Sequence, residues 1–218
     1  MTRGVSINKL RRIRPERSDS KEEFFMSKRV GKTRELVQLS LLIALEAVLA
    51  FTPLGFIMIP PISITVLHIP VIIGAILMGP AKGGILGGAF GILSMVKATF
   101  FAASPADLLF SPFLSGAPVR SLVMCVLPRI LLGVFAALLF RLFRKITKEA
   151  LAIALGAVFA TVLHSLMVLG SMWLFFNAMP LRDVFVTIAS LNCIAETIAA
   201  AVLATAVCKP ILAYLRRG

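Results

Sequence analysis

Five ionisable side chains stand inside the long apolar runs of this chain: Glu46, Lys97, Arg129, His164 and Glu196. A charge in a bilayer costs about 2.5–3.5 kcal/mol on insertion scales, so such residues face a bundle interior or a cavity. Two acids balance two bases, and two chemistries follow. Either the charges pair with one another, as Arg129 with Glu196, or they converge on a small polar ligand. Lys97 falls in the outer part of its run and suits a ligand group; Arg129 and His164 fall near mid-depth. Asn192 lies one helical turn from Glu196 on the same face and offers both a donor and an acceptor. His164 reads as a satisfied interior histidine or as a ligand contact. Trp173 reads as a ring that stacks on a ligand or as an interface anchor. The candidate binding set is therefore Lys97, Arg129, His164, Trp173, Asn192 and Glu196.

Catalytic chemistry has little support. Gly31-Lys32-Thr33 matches the end of a phosphate-binding loop, but Met26 stands where its first glycine belongs and no strand precedes it. HExxH, GxSxG and CxxC are absent from the sequence. No acid–base or metal constellation is legible, so neither an enzyme, a metal site nor a cofactor is expected. Cys125, Cys193 and Cys208 lie singly in apolar runs and read as packing residues.

The elements that must position these residues are membrane helices. Of 218 residues, 59% are hydrophobic, and runs of 18 or more largely apolar residues point to transmembrane spans. The expected fold is an all-α integral membrane protein with six spans: 34–52, a short second span 67–78, then 82–101, 119–140, 150–176 and 184–207. The second, about 18 Å long at 1.5 Å per residue, must lean on protein or sit at shallow depth. Residues 1–33 form a basic extension expected to be disordered, followed by a membrane domain over 34–218. Translation starts at Met1 or at Met26-Ser-Lys-Arg, the latter leaving residues 1–25 as an upstream extension, and no removable signal peptide is expected.

The net charge of +13 is unevenly placed. With the N-terminus inside, the inner side receives Lys82, Arg141, Arg144, Lys145, Lys148, Lys209, Arg216 and Arg217. The outer side receives Arg120 and Arg182, near Asp107 and Asp183. That bias sets both termini in the cytoplasm of a multi-pass cell-membrane protein, and the basic tail reads as juxtamembrane rather than nucleic-acid-binding.

The stretch FIMIPPISITVLHIPVIIGAILMGPAKGGILGGAFG, from Phe56 to Gly91, holds the most local information. Ile62, Ile64 and Val66 alternate with Ser63 and Thr65 at a strand-like period, and Pro60-Pro61 excludes a helix there. Gly79-Pro80 forces a turn, and Gly83, Gly87 and Gly91 give the next span a bare ridge for close packing. The outer loops, Thr52 to Thr65 and Ala102 to Pro118, are apolar and rich in proline. They read as lids over an outward cavity, or as interfacial anchors through Phe100, Phe101, Phe110 and Phe113.

Six spans, a proline-rich first loop and the motif TVLHIPVIIGAILMGPAKGGILGGAFG, with FSPFLSG (110–116) and VLPRILLG (126–133), resemble one family over residues 32–217. The chain is similar to the substrate-binding S components of energy-coupling factor (ECF) vitamin transporters, in the branch with pantothenate-type and hydroxymethylpyrimidine-type members. The resemblance implies a vitamin captured under the first and third loops, a transmembrane coupling subunit and two ABC-type ATPases as partners, and ATP-driven uptake. It also implies a small-residue coupling face on the first span, for which Ala44, Ala47 and Val48 are the nearest match. Lys97, with Arg129 or Arg120, suits a carboxylate, so pantothenate is the favoured ligand. The alternative is a stand-alone ion-coupled carrier using Glu46 and Glu196 as proton sites.

Overall fold

The computed structural model describes residues 16–59, 62–102, 105–177, 182, 186 and 190–216, with side chains from residue 33 onward except 56–65 and 105–106. The chain divides into two compact units, Met1–Gln38 and Leu39–Gly218. Helix α1, Glu16–Phe51, runs through both, so the expected start of the first span at Arg34 falls inside a helix.

After α1, a 3₁₀ turn at Pro53–Gly55 leads into strands β1 (Phe56–Ile59) and β2 (Ile62–Thr65), paired antiparallel with Phe56 opposite Thr65 and Ile59 opposite Ile62. The alternating pattern read at Ile62–Val66 is thus a strand, and it adds a small hairpin to an otherwise helical chain. Pro60-Pro61 lies outside the described residues. Helix α2 (Ile69–Met78) is short and apolar, with proline at its start, where a missing N–H costs nothing. Gly79 turns the chain at φ 91°, a left-handed conformation suited to glycine, and α3 (Pro80–Phe100) begins at once. A short turn, α4 (Pro105–Leu108), precedes α5 (Pro118–Phe143), α6 (Glu149–Phe176) and α7 (Leu191–Leu215). Among the described residues, α3, α5, α6 and α7 are long and apolar enough to cross a membrane.

Packing follows chain order: α5 lies against both α3 and α6, α6 lies against α7, and α2 fits among α3, α5 and α7. The α3–α5 contact is set by glycine. A Cβ on Gly83 would collide with the Gly133 backbone, one on Gly87 with the carbonyl of Arg129, and one on Gly91 with the Val126 backbone. The Gly83/Gly87/Gly91 ridge therefore serves internal packing, as close helix approach requires. Ile72, Leu86, Leu132 and Ile153 are fully buried in the resulting core.

Charge is segregated between the two ends of this bundle. Gly79, at the start of α3, lies beside the Arg141 guanidinium, and Arg216 at the end of α7 pairs with Glu149 at the start of α6. At the other end Arg120 donates to the Phe175 carbonyl (3.1 Å), and Asn177 caps α6 in the left-handed region.

Candidate ligand-binding site

Proline builds the centre of the site. Pro128, inside α5, has no N–H to give the carbonyl of Met124, four residues back. The Arg129 guanidinium takes that carbonyl instead, with Nη1 donating at 3.0 Å. It also lies 5.7 Å from the Phe90 ring centre and 5.0 Å from that of Phe110, within cation–π range. His164 Nδ1 lies 3.3 Å from the Pro128 carbonyl, and its ring is 6.3 Å from Phe90. One proline thus helps hold a cation and an imidazole side by side.

Phe90, Arg129 and His164 line a cavity of about 310 Å³, completed by His68, Ser165, Val168, Leu169, Ser190, Asn192, Cys193 and Glu196. That size suits a small molecule, and its lining has the mix of apolar surface and a few polar groups common in ligand sites. Two buried nitrogens here, Arg129 Nε and His68 Nε2, have no hydrogen-bond partner among the described residues. A buried polar atom left unmatched costs about 1–3 kcal/mol, a deficit that a ligand can remove.

Of the residues singled out from sequence, Arg129, His164, Asn192 and Glu196 come together here. Lys97 does not line this cavity. It lies in the last turn of α3, where a cation complements the helix dipole, and borders a second pocket with Ala50, Phe51, Thr52, Pro53 and Phe101. Trp173 lines neither pocket and is about one-third exposed (37%). Glu46 is buried, and neither carboxyl oxygen has a hydrogen-bond partner among the described residues. Ala44 and Val48 are exposed on α1, with Ala47 half-buried beside them. His68 escaped the sequence reading although a polar residue ahead of Ile69-Pro70 breaks an apolar run.

The loop between α3 and α5 bends over this region. Ser111 is fully buried, and its hydroxyl pairs with that of Thr99 on α3 at 2.8 Å; Ser121 on α5 donates to Ser115 at 2.6 Å. These two links carry Phe110 onto Arg129, while Phe100, Phe101 and Phe113 remain exposed. Of these four phenylalanines, Phe110 alone meets Arg129 and the other three face outward.

Residues 34–212 match the family described as "ECF transporter, substrate-specific component". The chain belongs to this family. It is a multi-pass membrane transport protein rather than an enzyme. Among curated proteins, this S component is 35% identical over 156 residues to the "Pantothenic acid transporter PanT" of Lactococcus lactis subsp. cremoris (strain MG1363), covering 67% of this chain and 76% of the relative.

Proposed function

We propose that this S component is the high-affinity membrane subunit that captures pantothenate for ATP-driven uptake. The observation that carries the reading is the cavity beside α5, in which Arg129 offers a cation for a carboxylate while Asn192 and Ser190 offer neutral hydrogen-bonding groups. Val168 and Leu169 supply apolar surface between them. Pantothenate has that composition: one carboxylate, an amide, two hydroxyls and a branched apolar centre. The relative's name supports the same ligand. In this reading the basic end of the bundle faces the cytoplasm, with both termini and residues 1–33. The chain forms six spans, α2 being a short one sheltered by its neighbours. The exposed Ala44, with Ala47 and Val48, meets a coupling subunit, which two ABC-type ATPases drive. The ligand set is Arg129, His164, Asn192 and Glu196; Lys97 and Trp173 lie outside it.

One observation favours a second reading. The buried, unpartnered Glu46 carboxyl suits a proton site in a stand-alone carrier. Vesicles containing only this chain separate the two. Saturable pantothenate binding without accumulation is expected, and accumulation restored when the coupling subunit, ATPases and ATP are supplied. Concentrative uptake driven by a proton gradient alone would instead establish the carrier.

A further inference from the structure

Helix α7 does not begin at the end of the bundle. Cys193, its third residue, places its Sγ 3.9 Å from the Ser165 hydroxyl on α6. Ser165 lies eleven residues before the end of α6 at Phe176, or about 16 Å along that helix. The N-terminus of α7 therefore opens beside the middle of α6, and Ser190, Asn192 and Cys193 line the cavity there. Ser190 is the cap: its Oγ accepts from the Cys193 amide (3.4 Å) and its carbonyl accepts from the Ile194 amide (3.1 Å). The amides of Leu191 and Asn192 have no acceptor within the helix, as at any helix start, and the dipole makes that end electropositive.

A second observation, on a different element, points into the same space. His68, immediately before α2, is 4% exposed and lines the cavity, and its Nε2 has no partner among the described residues. Such a nitrogen at the edge of a cavity is a hydrogen-bonding group in wait for one from outside the chain.

The geometry points to a second polar subsite, formed by the Asn192 amide, the Asn192 side chain and His68 Nε2, that binds the uncharged oxygen-bearing half of an elongated ligand whose acidic end lies at Arg129. This rests on the proposed function and deepens it. For pantothenate the group bound is the pantoyl half, its hydroxyls and amide carbonyl. The amide donates to ligand oxygen, and His68 and Asn192, each with an acceptor available, also receive ligand hydroxyls.

The test is calorimetry on the purified full chain in nanodiscs with pantothenate and with panthenol, in which a hydroxymethyl group replaces the carboxylate. Asn192→Ala removes the side-chain amide, both donor and acceptor, and leaves the helix backbone in place. His68→Phe removes the imidazole. Each variant is expected to weaken both ligands about tenfold, the loss of roughly one hydrogen bond. Arg129→Gln is expected to weaken pantothenate alone. Panthenol affinity unchanged in Asn192→Ala and His68→Phe, with wild-type binding intact, overturns the subsite but not the proposed function. Wild-type chain that binds neither compound overturns both.

Discussion

Arg129 shows how much one residue depends on its neighbour. A guanidinium in an apolar span is tolerable here because Pro128 leaves a carbonyl for it and two aromatic rings flank it. A cation held in this way is pre-positioned for a carboxylate, and a hydrogen bond to a charged group contributes about 1.5–3 kcal/mol. Arg129→Gln should therefore weaken pantothenate binding about 10- to 100-fold, whereas Lys97→Ala, outside the cavity, should change it less than about threefold. Calorimetry on the two variants checks the contrast; a larger loss for Lys97→Ala would move the acid's site to the second pocket. The buried charges were legible in sequence because burying them is costly wherever the chain puts them. Lys97 borders the second pocket instead, because depth along a span does not say which cavity a side chain faces. His68 was missed because a single polar residue among apolar ones has no periodicity to mark its direction.

At the scale of elements, glycine and caps decide the geometry. Gly87 brings α3 onto the backbone of α5 at Arg129 itself, so the helix contact and the site share one residue. Gly87→Ala should destabilise the protein by about 1–3 kcal/mol, by overpacking, and weaken ligand binding as α5 is pushed away. Gly88→Ala is the control: its methyl would meet the Ile130 side chain at an ordinary 3.7 Å and should be tolerated. Thermal unfolding in detergent, read beside ligand affinity, distinguishes them; equal melting points would contradict the role given to Gly87. The glycine ridge, the α2–α3 turn and the strand at Ile62–Thr65 were legible because each has a strong local signature. The start of α7 was not, since the apolar run from Val184 to Val207 reads as one span. The signal was present in Ser190, a favourable cap ahead of an apolar stretch, but hydropathy outweighed it.

For the whole molecule, the bundle has a basic end, a more nearly neutral end and a cavity beside the middle of α6. The family is described as the substrate-specific component of an ECF transporter. The family followed from composition and motif, and with it a membrane transport protein built of apolar helices. Which of the candidate residues line one cavity did not, because that depends on how the helices rotate about their axes. Equilibrium binding of radiolabelled pantothenate to the purified chain in nanodiscs, without any partner subunit, tests the central claim most directly. Saturable binding of one molecule per chain, displaced by unlabelled pantothenate and weakened by Arg129→Gln, is the predicted result. Absence of saturable binding by a folded chain, or binding indifferent to Arg129, would contradict it.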